Sequence, residues 1–185
     1  MDRWPHIFKD FKAQGYVTLF SEDCPVYGAF NYRLHGFKET PTDHFSRYFW
    51  EAAKITSAHC VHSKPQHQIH FDYVTSFLEA YPQQPKFGLF FMTEFSHNNL
   101  NSVYRVADDF VSLLKDLHEG TALNDTLLIV MSDHGARVGE ARETFQGKIE
   151  ERLPLMALTF PRWFSQQNQD LIQNIKENSN LLTDR

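Results

Sequence analysis

Two short stretches carry the side chains best suited to chemistry. Ser132-Asp133-His134-Gly135 follows the apolar run 127–131, and Thr93-Glu94-Phe95-Ser96-His97 follows the apolar run 87–92. A carboxylate and an imidazole are both good zinc ligands, and a carboxylate also suits calcium or magnesium. Neighbouring residues on an extended strand point to opposite faces. Asp133 and His134 therefore reach one ion only where the strand frays, and Gly135 makes a turn there cheap. An Asp at a strand end serves equally well as a cap or turn former, so both readings of Asp133 stay open. If the two strands are neighbours in a sheet, His97, Asp133 and His134 come to one edge, where open α/β sheets gather their ligands.

Other polar residues have plainer readings beside a chemical one. His59, His62, His67 and His70 read as solvated loop histidines, with His67 and His70, three apart, as the ligand pair of the alternative. Asp43-His44 reads as a helix start, and Asp108-Asp109 as a solvated helix face. Arg137 and Arg142 read as surface arginines that could meet an anionic substrate. Glu150 and Glu151 read as ion-pair partners of Arg152 and Lys148, and Asn124-Asp125-Thr126 is a glycosylation sequon abutting a strand.

The elements that must position these residues follow from periodicity and breakers. A helix is expected over 5–14, ended by Gly15 in the left-handed region, then a strand over 16–20. Residues 21–42 read as a loop, with Pro25, Gly28, Gly36 and Pro41. Thr42 caps an expected helix over 43–56. A loop over 57–65 and a helix ending near 80 follow. Strands are expected over 86–95, 125–131 and 153–160, the first two buried. Val103, Val106, Ala107, Phe110, Leu114 and Leu117 keep helical spacing over 102–119, and Pro161 opens a last helix to about 178. Strands alternating with helices predict an α/β fold with a mostly parallel sheet flanked by helices.

The 185 residues suffice for one domain with a sizeable core, and they are 42% hydrophobic and 22% charged. A net charge of −5 offers no basic footprint for nucleic acid. No apolar run is long enough to span a bilayer, and Met1–Pro5 does not begin a signal peptide. Two cysteines make no disulfide framework.

Residues 124–135, Asn-Asp-Thr-Leu-Leu-Ile-Val-Met-Ser-Asp-His-Gly, resemble the metal-binding strand of the sulfatase and alkaline-phosphatase-like superfamily. Residues 4–18 look like the helix and strand that follow the nucleophile in sulfatases, 103–123 like the helix before the metal strand, and 147–155 like the stretch bearing a substrate-contacting lysine. An animal branch of sulfatase-like proteins is closest, with stretches like Glu22-Asp23-Cys24-Pro25, Gly36-Phe37, Pro41-Thr42-Asp43-His44 and Glu150-Glu151-Arg152-Leu153-Pro154. The ordered set covers residues 4–164.

The resemblance implies an incomplete alkaline-phosphatase-like core spanning 1–185 and a metal-dependent hydrolase of sulfate or phosphate esters. Asp133 and His134 would ligate a divalent metal, zinc or calcium. His97 would contact metal or substrate, and Lys148 would meet the anion. A small anionic ester or a sulfated glycan would be the substrate, in an extracellular or secretory-lumen setting. The family's nucleophile lies upstream of the matching segment, so this chain alone is expected not to turn over substrate. Cys24-Pro25-Val26-Tyr27 lacks the spacing and arginine of the sulfatase signature, and Thr93 stands where phosphodiesterase-like members carry a metal aspartate. The alternative is a catalytically dead sulfatase-like extracellular binding or structural module.

Overall fold

The computed structural model of the protein describes residues 1–53, 55, 59–97 and 99–179. The chain divides into two compact units, residues 1–113 and 114–185.

The first unit is built on β1 (Val17–Glu22). It lies between β2 (His44–Phe45) and β5 (Lys86–Phe91), parallel to both. Thr18, Leu19 and Ser21 are fully buried, because β1 is central and covered on both faces. Phe20 and Phe87, on one face, pack against Phe8 of α1 (Ile7–Ala13). Phe90, of opposite parity, meets Phe77 and His70 of α3 (Gln66–Ala80) on the other. The period-two alternation thus seats a helix on each face, and the chain is α/β with a parallel sheet flanked by helices.

Several boundaries move for physical reasons. Gly15 ends the first helix at φ +82°, as its position implied. The helix expected over 43–56 starts later, as α2 (Arg47–Ala52). Asp43 does not open it: its carboxylate accepts from the Thr18 N–H (3.0 Å) and hydroxyl (2.8 Å) and from Lys12 (2.6 Å), which draws His44–Phe45 into the sheet. Residues 54, 56–58 and 98 fall outside the described ones, and with them parts of the helix expected over 43–56 and the loop expected over 57–65. The described part of that loop holds a hairpin, β3 (Cys60–Val61) with β4 (Lys64–Pro65).

In the second unit β6 (Leu128–Met131) pairs antiparallel with β7 (Met156–Thr159), and α5 (Phe145–Arg152) lies between them in sequence. Ile129 and Met131 are 44% and 59% exposed, so the fully buried strand expected at 125–131 is not observed: among the described residues β6 has one partner strand. The last helix is interrupted at Asn168 (φ −125°, ψ 49°) into α6 (Arg162–Gln167) and α7 (Gln169–Asn178). The helix expected over 102–119 is a 3-10 turn, Leu100–Arg105, followed by α4 (Ala107–Glu119), which runs across the division between the units. Among the described residues no helix is long and apolar enough to cross a membrane.

Candidate functional site

In the second unit, β6 ends at Met131, the Ser132 N–H still donates to the Leu155 carbonyl (3.0 Å), and Asp133–Gly135 lie beyond the ladder. There Asp133 and His134 need not point to opposite faces. Asp133 Oδ1 accepts from the His134 backbone N–H (3.0 Å), while Oδ2 lies 3.4 Å from His134 Nε2. The carboxylate is therefore a turn former through one oxygen and a candidate ligand through the other. Two donors on a tetrahedral ion with bonds of about 2.1 Å stand about 3.4 Å apart, so this pair fits two positions on one metal. His134 Nδ1 lies 2.6 Å from the Gly135 carbonyl. Donating there holds the proton on Nδ1 and leaves Nε2 as a lone pair, the tautomer a metal needs.

Gly135 is required for a reason other than a turn. Its N–H donates to the Glu151 carbonyl (3.0 Å), and a Cβ on it would collide with the backbone carbonyl of Glu150. Only glycine lets the end of α5 lie against the Asp133–His134 turn. The Glu151 carboxylate then reaches Arg137 Nε (3.7 Å) through one oxygen and Arg142 Nε (3.4 Å) through the other. Its partners are these two arginines, not the Arg152 and Lys148 expected from sequence. Arg137, Arg142 and Lys148 line one cavity of about 450 Å³ with Gly139 and Glu143. Among the described residues no carboxylate pairs with the Lys148 ammonium. Three cations around one open cavity suit an anion.

The first unit carries the other candidate residues. His97 follows β5, its N–H donating to the Thr93 carbonyl (3.0 Å) and its ring stacked on Tyr27 (5.2 Å between centroids). Thr93 is buried, with its hydroxyl unpartnered among the described residues. His67 and His70 are not solvated loop residues: both lie on α3, 6% and 1% exposed. The face they share with Phe71 and Phe77 is the one α3 buries. His67 Nε2 lies 2.6 Å from Asp109 Oδ2, and burial pushes His70 down to about 4. Asp109 thus does more than face solvent.

Two acidic residues were not among the candidates that the sequence offered. β1 runs through Glu22, beyond the strand end expected at 20, so Glu22 and Asp23 sit at the carboxyl end of the central strand. Asp23 is fully buried. Its Oδ1 accepts from the backbone N–H groups of Thr93 (2.7 Å) and Glu94 (3.3 Å). Burial raises Asp23 to about 6 against those bonds. Burial also raises Glu22 to about 7, although Ala29 N–H donates to it at 2.6 Å. The sheet order puts β2 on one side of β1 and β5 on the other, so the cleft between β1 and β5 is a topological switch point, where ligands bind in such sheets. The strand-end rule that selected residues 93–97 and 132–135 would have selected Glu22-Asp23 too, had the strand been drawn two residues longer. Cys24 is buried, and burial pushes its thiol up, which disfavours a nucleophile.

Among the described residues, no three His, Cys, Asp or Glu side chains gather at a spacing that would hold a metal ion. No curated protein and no solved structure matches the chain. Its whole length, residues 1–185, matches the family described as Protein of unknown function (DUF229), and the chain belongs to that family.

Proposed function

We propose that this chain is a segment of a metal-dependent hydrolase of sulfate or phosphate esters, a member of the sulfatase and alkaline-phosphatase-like superfamily. The observation that carries the reading is the continuity of the second unit's polar end. The Asp133–His134 turn is bonded through Gly135 to Glu151, whose carboxylate holds two of the three cations around one cavity. Asp133 Oδ2 and His134 Nε2 would hold a divalent ion, zinc or calcium. Such an ion, when bound, polarises an ester oxygen and stabilises developing charge. Lys148, Arg137 and Arg142 would bind the anionic ester oxygens, and their fixed charges would stabilise the more negative transition state. His97, in the first unit, is proposed to contact metal or substrate by the resemblance alone. The same resemblance supports an extracellular or secretory-lumen setting.

The test uses the protein carrying this chain, a panel of aryl sulfates and aryl phosphates, and added zinc or calcium. Metal-dependent turnover lost in Asp133→Ala and His134→Ala, with KM raised in Lys148→Ala, supports the reading. Absence of both turnover and stoichiometric metal would sink it.

A further inference from the structure

Four buried side-chain atoms around the carboxyl ends of β1 and β5 have no partner among the described residues: Asp23 Oδ2, Gln66 Oε1, His67 Nδ1 and Thr93 Oγ1. Direct bonds tie three of these residues together. Gln66 Nε2 donates to the Asp23 carbonyl (3.0 Å), and Asp23 Oδ1 accepts from Thr93 N–H (2.7 Å). His67 follows Gln66 on α3, and its ring packs edge-on against Phe95, two residues beyond Thr93 (5.4 Å).

The chemistry of the four is one-sided. The Gln66 amide nitrogen donates to the Asp23 carbonyl, which leaves Oε1, an acceptor, as the free end. His67 places Nε2 on the Asp109 carboxylate, so that nitrogen holds the proton and Nδ1 is a bare lone pair. An ionised Asp23 can only accept. The Thr93 hydroxyl is the one donor of the four, and it bonds to none of the three acceptors. Buried polar groups are rarely left without partners, and a buried carboxylate still less often. A surplus of acceptors calls for an electropositive occupant.

We infer that Asp23 Oδ2, Gln66 Oε1 and Thr93 Oγ1 form a second cation site at the carboxyl ends of β1 and β5, one that takes a divalent ion of the oxygen-preferring class. One carboxylate with amide and hydroxyl oxygens is the donor set of magnesium, calcium or manganese. His67 Nδ1 is the nitrogen nearest in sequence to this set, and manganese also accepts an imidazole. The positive end of α3 at Gln66 opposes a cation, but it amounts to about half a charge against the full charge of Asp23. The site lies wholly in the first unit and does not depend on the reading of Asp133 and His134.

The experiment uses this chain carrying Asp133→Asn and His134→Ala, which silences the other metal pair. Magnesium, calcium and manganese chloride are each titrated at pH 7.5, with calorimetry and thermal unfolding as readouts. One ion bound per chain and a rise in Tm of several degrees are expected for at least one of the three. Asp23→Asn, which keeps the acceptor facing Thr93 and Glu94 N–H, should weaken that ion by more than about tenfold and melt higher than its parent without metal. Thr93→Val should weaken it less and serves as the second variant if Asp23→Asn does not fold. Failure of all three ions to bind, or binding that neither Asp23→Asn nor Thr93→Val weakens, overturns the site, whatever the catalytic assay gives.

Discussion

The carboxyl ends of β1 and β6 carry acid residues in opposite settings. Asp23 ends a strand covered on both faces and is fully buried, with two backbone N–H groups on one oxygen and no partner among the described residues on the other. Asp133 ends a strand with one partner, and its side chain is 65% exposed. Burial pushes Asp23 up to about 6. A carboxylate in water waits for a ligand at little cost, whereas one in the interior is paid for by the rest of the fold. The difference teaches that ligand-capable residues at strand ends have to be weighed by their burial. An exposed pair can be assembled late, and a buried one has to be supported by its neighbours.

The largest effect that would break this comparison lies in the cores behind the two strands. Phe20 is 2% exposed among Phe8, Phe30 and Phe45. Phe20→Ala should cost about 3–5 kcal/mol in urea unfolding. Ile129→Ala, at a 44% exposed position, should cost less than about 1 kcal/mol. Equal losses would mean that the second unit is packed as tightly as the first.

Next in size is the pH dependence of the buried end. Glu22 sits at about 7 when folded against an ordinary 4.5, raised by burial, with Asp23 adding to it and Arg47 and the Ala29 N–H opposing. The folded state therefore holds this proton more tightly than the unfolded one. Stability from it is full below about 4.5 and is lost as pH rises through about 7. Denaturation at pH 5 and pH 8 should show wild type losing about 2 kcal/mol more than Glu22→Gln. Asp23, raised to about 6, contributes a fall of the same sign that this variant retains. A wild-type profile parallel to that of the variant would show that Glu22 is ionised at no cost.

The smallest effect sharpens the exposed end. Asp133→Asn with His134→Ala should change stability by less than about 0.5 kcal/mol, since both groups are partly solvated. The same change should abolish zinc binding by the chain in calorimetry. A large loss of stability without a loss of metal would make the pair a structural turn.

Much of the fold was legible because it follows from local rules. Gly15 could end α1 by its backbone freedom alone, the aromatic and branched residues from Val17 onward marked a strand, and β5 began at Lys86 as expected. Asp133 and His134 stood out because two ligand types stand side by side where an apolar run meets a glycine. Asp43 was misread as a helix opener because its partners, Lys12 and Thr18, are 31 and 25 residues away. The histidines of α3 were misread because nothing local says that their side faces the sheet.

The sequence by itself determined the alternation of helices and strands, the glycine breaks and the chemical types at each strand end, since these depend on backbone sterics and side-chain periodicity. Tertiary structure decided that Asp23 is buried and half-satisfied, that Glu151 spans Arg137 and Arg142, and that Gly135 serves close approach to α5. Each of these depends on which distant backbone arrives beside the residue. Burial and hydrogen-bond partners are properties of that arrival, not of the residues themselves.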